Sequence, residues 1–201
     1  MSALPVTPAS NPTTALLIID VQQSFLHRPY WSATELPAFQ AALLKLEAAC
    51  RAAGVPVVHI FHVEEEGAFS LGSGFVKAMD WLPGSPDARF EKHTHNAFTD
   101  TGLDLWLRRR GVGKLIIAGI RTEQCCETTT RVASDIGYTV DFVTEATLTF
   151  PMAHVGSGRI YTAAEIKAHT ELVLADRFAR IVDVPACLAG LGGVALASPS
   201  A

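Results

Sequence analysis

KLIIAGIRTEQCCETTTRVASDIGYTVDFV, the stretch from residue 114 to residue 143, contains a complete strand–helix–strand unit. The apolar run at its start predicts a strand over residues 114–119, and the run at its end predicts another over residues 138–143. Between them, residues 122–136 have the spacing of a helix that Gly137 ends. A helix that joins two strands in this way places them parallel in one sheet, so the stretch predicts an α/β fold.

The same alternation of strands and helices extends in both directions along the chain. Further strands are predicted over residues 16–19, 55–61, 88–92 and 180–184. Further helices are predicted over residues 36–53 and after the capping-box patterns at residues 101–104 and 162–165. We expect one domain over residues 1–201, with a core from about residue 13 to residue 187. Residues 1–12 and 194–201 are rich in Ala, Ser and Pro, and we expect them to be frayed ends.

The composition excludes several classes of protein. Hydrophobic residues make up 49% of the 201 residues and charged residues 18%, which excludes a disordered chain and supplies a sizeable core. The net charge is −4 and the longest basic block is residues 108–110, so no nucleic-acid partner is expected. No apolar run approaches the length of a membrane span, and the first residues do not form a signal-peptide pattern. Four cysteines without a C-x-x-C pair indicate free thiols and a cytoplasmic location.

Three chemically useful side chains lie at or just after the predicted carboxyl ends of strands, where parallel α/β sheets bind ligands. Asp20 follows the first strand, Lys92 ends the third, and Cys125 falls in the first helical turn after the strand that begins at residue 114. Thr122 is a candidate N-cap for that helix. A helix N-terminus and a nearby lysine lower the pKa of a thiol, so these residues predict a cysteine nucleophile with an aspartate that moves its proton.

Each of these residues also fits a structural role. Asp20 would serve equally well as a cap for the following segment, and a single lysine is ordinarily solvated. Both Cys125 and Cys126 would fit a buried helix face, and periodicity does not choose between them. The first strand-to-helix turn has no G-x-G-x-x-G motif, so a dinucleotide cofactor is not expected.

Together, three motifs make the chain resemble the isochorismatase-like cysteine hydrolase superfamily over about residues 15–184. They are Asp20-x-Gln22-x-x-Phe25, Lys92 followed by Phe98, and Gly119-x-x-Thr122-x-x-Cys125-x-x-x-Thr129. The resemblance implies a three-layer α/β/α domain with a six-stranded parallel sheet, and a homo-oligomer such as a dimer or a tetramer. It also implies a catalytic triad of Asp20, Lys92 and Cys125, and so selects Cys125 over Cys126 as the nucleophile.

The resemblance further implies a mechanism. A cis peptide bond between Ile120 and Arg121 would let the backbone N–H groups of Arg121 and Cys125 form an oxyanion hole. Asp20 would accept the Cys125 proton, return it to a leaving amine, and then activate the water that hydrolyses the thioester, while Lys92 holds the thiolate. The expected substrate is a small molecule with an amide or ureide bond.

No metal is expected. The nicotinamidase branch of the superfamily uses an Asp-x-His motif and a further histidine after the second strand, whereas residues 59–64 here read HIFHVE. His59 and His62 are three positions apart on a strand, so they point to opposite faces. His93 and His95 are next to Lys92, whose charge would repel a cation.

Substrate contacts are expected from Gln22, Phe25, Trp31, Phe61 and Arg121. The aromatic rings would wall an apolar pocket, although ordinary core packing fits them equally well. The guanidinium of Arg121 would pair either with a substrate carboxylate or with Glu123.

Two other functions fit the same sequence. A vinyl-ether hydrolase of the isochorismate type would use the aspartate as an acid and would need no cysteine. A non-catalytic α/β binding protein would use neither, and its thiols would be uniformly unreactive.

Overall fold

A computed structural model describes residues 13–191. Its main sheet has six parallel strands in the order β3-β2-β1-β4-β5-β8, which confirms the predicted sheet. The strands of this sheet are β1 (Thr13–Ile19), β2 (Val57–His62), β3 (Ala88–Lys92), β4 (Val112–Ile120), β5 (Thr139–Leu148) and β8 (Arg180–Val182). A separate antiparallel hairpin consists of β6 (Met152–Ala153) and β7 (Ile160–Tyr161). The terminal segments expected to fray lie outside the described residues.

The described part of the chain has five α-helices. They are α1 (Leu36–Ala52), α2 (Leu103–Arg108), α3 (Glu127–Asp135), α4 (Ala163–Leu174) and α5 (Val184–Leu191). Side chains alternate between the two faces of a strand, so the apolar run of β1 supplies both cores. Leu16 and Ile18 pack with α1 and α5, whereas Leu17 and Ile19 pack with α2, α3 and α4. These helices form the outer layers of the expected three-layer domain.

The strand order places the ends of β1 and β4 side by side at the centre of the sheet. From β1 the chain continues to β2 on one side, and from β4 it continues to β5 on the other. Ligand sites in open α/β sheets lie at such a reversal, beyond the carboxyl ends of the strands. Ile19 pairs with Gly119 in this register, so the segments that follow each residue leave the sheet together.

Gly119 makes the close approach of β1 and β4 possible. Its φ angle is +135°, and a Cβ atom at this position would lie 2.0 Å from the carbonyl oxygen of Ile19. No residue with a side chain fits such a contact, because the obstacle is backbone that has nowhere to move. The glycine therefore fixes the spacing between the residues that follow the two strands.

Several predicted details are wrong. Thr101 forms no capping box, because Gly102 is the N-cap residue of α2 and the Thr101 hydroxyl accepts from the backbone N–H of Leu103, not from that of Asp104. The helix predicted from residue 122 starts as a π-helical turn, Thr122–Cys126, and only then becomes α3. The capping box between Thr162 and Glu165 is confirmed. None of the described helices is long and apolar enough to cross a membrane.

Candidate active site

The side chains of Asp20, Lys92 and Cys125 meet beyond the sheet edge. Lys92 Nζ lies 2.9 Å from Asp20 Oδ2 and donates to Cys125 Sγ at 3.3 Å. Asp20 and Lys92 are completely buried, and Cys125 is 7% exposed. The three residues come from the ends of β1, β3 and β4, so the geometry follows from the strand-end rule.

Asp20 has the features of a proton acceptor. Its φ angle is +53°, an uncommon conformation for a residue with a side chain, and its backbone N–H donates to the carbonyl of Ile60 at 2.8 Å. Lys92 Nζ lies 2.9 Å from Oδ2, and among the described residues neither carboxylate oxygen has a hydrogen bond of regular geometry. The lone pairs of the carboxylate therefore stay available for a proton.

Lys92 connects the groups of the site. Besides Asp20 and Cys125, its Nζ atom donates to the carbonyl of Thr94 at 3.1 Å and lies 3.0 Å from Nδ1 of His62. Burial alone would lower the pKa of Lys92, but the charge of Asp20 and the contact with Cys125 outweigh burial and raise this pKa overall. Lys92 is therefore a permanent cation that stabilises negative charge on the carboxylate or on the sulfur.

The prediction of a lowered Cys125 pKa is wrong. Burial first, and then the charge of Asp20, raise the pKa of the Cys125 thiol, and the opposing effect of Lys92 is smaller. The expected effect of the helix N-terminus does not prevail in this enclosed site. In the resting protein the sulfur is therefore protonated, and its proton must be removed before it can attack a carbon.

Hydrogen bonds join the turn that carries Cys125 to β5. The Ile120–Arg121 peptide bond is cis, at the position that the resemblance implies. Thr122 is not an N-cap, because its hydroxyl donates to that of Thr147 at 2.7 Å, while Thr147 donates to the carbonyl of Thr144. These bonds join the turn to β5.

A second contact joins the helix after the turn to the segment after β3. The hydroxyl of Thr129 accepts a hydrogen bond from the backbone N–H of Ala97 at 3.1 Å. Both residues are completely buried. The bond therefore links the helix that follows Cys125 to the segment that follows Lys92.

Two of the residues expected to bind substrate have other contacts. Gln22 is completely buried, and its amide donates to Ser24 and to the carbonyl of His62 while accepting from the backbone N–H of His62. Phe61 packs with Val63 and Val76, in a cluster separate from the two main cores. The structure therefore gives both residues a structural position and does not support the expectation that they contact substrate.

The other three residues expected to bind substrate lie around a cluster of aromatic rings. They are Phe25, Trp31 and Arg121. Phe25 and Trp31 both pack near Phe150, with ring centroids 6.5 Å and 5.3 Å from it. The guanidinium of Arg121 lies over the ring of Tyr30, 4.9 Å from its centroid, and its Nη2 atom is 2.8 Å from Glu123 Oε1. Of the two partners expected for Arg121, the structure shows Glu123.

Sequence reasoning missed the two histidines beside the triad. His62 contacts Lys92, and Nδ1 of His95 lies 3.9 Å from Cys125 Sγ. The rings of His62 and His95 are parallel, with centroids 6.2 Å apart. From the sequence, both histidines are interpreted only as possible metal ligands. Their position near strand ends already indicates that they lie close to Asp20, Lys92 and Cys125.

His59 and His62 point to opposite faces of β2, as predicted. The ring of His59 lies beside Phe61, whereas His62 reaches Lys92. In the described part of the chain, no group of three or more His, Cys, Asp or Glu side chains has the geometry of a metal site.

Comparison with known proteins agrees with this geometry. The family model described as "Isochorismatase domain" matches residues 14–159. The chain belongs to the isochorismatase family. It is therefore an isochorismatase-family hydrolase, and the alternative of a non-catalytic binding protein is not supported.

Similar proteins include hydrolases of different substrates. Nicotinamidase 3 of Arabidopsis thaliana is 33% identical over 68% of this chain and 73% of its own length. Streptothricin hydrolase of Streptomyces noursei is 30% identical over 86% of this chain and 69% of its own length. The crystal structure of a cysteine hydrolase from Pseudomonas syringae pv. phaseolicola is 25% identical with a TM-score of 0.82, covering 96% of this chain and 99% of that one.

Two histidines, the buried His59 and the partly exposed His62, should make the stability of this hydrolase depend on pH. Burial and the charges of Arg51 and Arg89 lower the pKa of His59 from 6.5 to about 4, and burial and Lys92 lower that of His62 from 6.5 to about 4. Between these values the unfolded chain binds protons that the folded protein does not bind. The free energy of unfolding should therefore fall as the pH drops from 6.5 towards 4, by about 1.4 kcal/mol for each unit of pKa difference.

Urea unfolding followed by tryptophan fluorescence at about pH 7.5 and about pH 4.5 measures this loss. A His59→Gln variant removes one of the two groups, so its stability should change less between the two pH values. Equal pH dependence in the variant and the wild type would contradict the assignment to His59.

Proposed function

We propose that the chain hydrolyses a small, uncharged amide or ureide through a thioester on Cys125. The observation that carries this proposal is the contact of Lys92 with both Asp20 and Cys125 in a buried site. A protonated sulfur needs a base, and Asp20 has unoccupied lone pairs. The similarity to a nicotinamidase adds support, since nicotinamidases by name act on an amide.

In the first half of the reaction, the Cys125 proton moves to Asp20 as sulfur attacks the carbonyl carbon. Lys92 stabilises the sulfur while it is charged, and the backbone N–H groups of Arg121 and Cys125 bind the oxyanion. The C–N bond then breaks, and Asp20 returns its proton to the leaving amine. This sequence leaves a thioester and an ionised Asp20.

The charges around the site favour a substrate without a carboxylate. Asp20 and Lys92 neutralise each other, and Glu123 neutralises Arg121, so neither cation is left without a counter-charge. Thr149 donates a further hydrogen bond to Glu123, which holds the second pair in place. A substrate carboxylate would have to displace Glu123 from Arg121, at the cost of leaving Glu123 without its partner.

Ammonia release from a panel of amides tests this function. The panel pairs uncharged amides such as nicotinamide with matched amides that carry a carboxylate, and we expect the uncharged member of each pair to have the higher kcat/KM. The vinyl-ether alternative predicts pyruvate release from isochorismate and no ammonia. Pyruvate without ammonia would replace the amide proposal with that alternative.

Two expectations from the sequence stay predictions. One is the homo-oligomer, a dimer or a tetramer, and the other is the cytoplasmic location. All four cysteines are buried free thiols, which supports a reducing compartment.

A further inference from the structure

The sulfur of Cys125 has two neighbours that accept protons, and only one of them is exposed. Asp20 is completely buried, whereas His95 is exposed, with its Nδ1 atom 3.9 Å from Sγ. A water molecule that attacks a thioester on this sulfur must come from solvent. Of the two bases, the exposed imidazole is the one that such a water meets first.

The groups around His95 carry no unpaired charge. The charged groups beside the sulfur are Lys92 and Asp20, which form an ion pair with no net charge. The ring of His62 lies parallel to that of His95, but burial and Lys92 keep the pKa of His62 at about 4, so it is uncharged near neutral pH. Neither the ion pair nor His62 therefore presents an unpaired cation to His95.

We propose that His95 is the base that activates the hydrolytic water in the second half of the reaction. The assignment rests on the proposed thioester function and moves this step from Asp20 to His95. The water oxygen bonds to the acyl carbon while one of its protons passes to His95. The C–S bond then breaks with its electron pair on sulfur, and the imidazolium returns that proton to sulfur. The products are a carboxylic acid, a neutral His95 and a protonated Cys125.

Rapid mixing with p-nitrophenyl acetate separates the two halves of the reaction. Acetylation of Cys125 releases p-nitrophenolate as a burst, and further release requires hydrolysis of the thioester. In His95→Gln we expect a burst of about one equivalent, followed by a steady rate about 100-fold or more below that of the wild type. Hydroxylamine attacks thioesters without a general base, so adding it should restore the steady rate of the variant.

The matched control is His93→Gln, because His93 is a nearby exposed histidine whose Nδ1 contacts the carbonyl of Val63 instead. This variant should keep both phases of the wild type. An unchanged steady rate in His95→Gln would overturn the role of His95. So would a slower burst in which the acetyl group on Cys125 is divided between water and hydroxylamine as in the wild type. Bursts that persist in a Cys125→Ala variant would instead contradict the thioester itself, so the two failures are distinguishable.

Discussion

Cys125→Ala is expected to abolish the amide hydrolysis of this protein, with a loss in kcat of about 10⁴-fold or more. The variant keeps Asp20 and Lys92 but has no atom that can form the thioester. Removing a buried sulfur of this size should leave the fold intact, because alanine fits the same space without new contacts. Ammonia release from the amide that the wild type hydrolyses fastest measures the loss, and circular dichroism verifies the fold.

Cys126→Ala is the matched control for this prediction. Cys126 is adjacent, completely buried and equally small, but it is the sulfur of Cys125 that Lys92 and His95 contact. Its variant should keep kcat within a few-fold of the wild type and lose only a little stability. Equal losses of activity in both variants would indicate a packing effect, and undiminished turnover in Cys125→Ala would exclude covalent catalysis by this residue.

Gly119→Ala is expected to prevent folding or to reduce the free energy of unfolding by about 4 kcal/mol or more. The added methyl group would lie 2.0 Å from the carbonyl oxygen of Ile19, in the centre of the sheet. Relief of that contact requires β1 and β4 to separate, which also separates Asp20 from Cys125. Urea unfolding, or the yield of folded protein where the variant does not fold, measures the effect.

Gly137→Ala separates this clash from the strain of an unusual backbone angle. Gly137 also has a positive φ angle, +96°, but nothing lies within 4 Å of the position of an added Cβ atom. We expect a loss of only about 1 kcal/mol there. Similar losses at Gly119 and Gly137 would contradict the proposed steric role of Gly119.

The arrangement of the fold was largely predictable because short apolar runs are strong signals for buried parallel strands. Elements or parts of elements without such an apolar run were not predicted. Strand β5 continues to Leu148 through a polar stretch that includes Thr144, and it does so after an irregularity in its pairing with β4. The helix α5 and the small hairpin β6–β7 have few residues, and their patterns are too short to stand out.

The positions of the triad were predictable, but its electrostatics were not. Chain order and the strand-end rule are enough to bring Asp20, Lys92 and Cys125 together. The direction of the Cys125 pKa depends on burial, which the sequence does not give, and the expected helix-terminus effect was therefore overestimated. Likewise, only the structure shows that Arg121 has Glu123 as its partner.

The pairing of Ile19 with Gly119 has a consequence for folding during synthesis on the ribosome. Asp20 and Cys125 follow these two residues, so they belong to distant parts of the chain that meet only when β1 and β4 pair. A nascent chain that ends before β4 contains Asp20 and Lys92 without Cys125, and it lacks one of the two strands that pair with β1. During synthesis the three side chains of the site can therefore come together only after β4 and the turn behind it have been made.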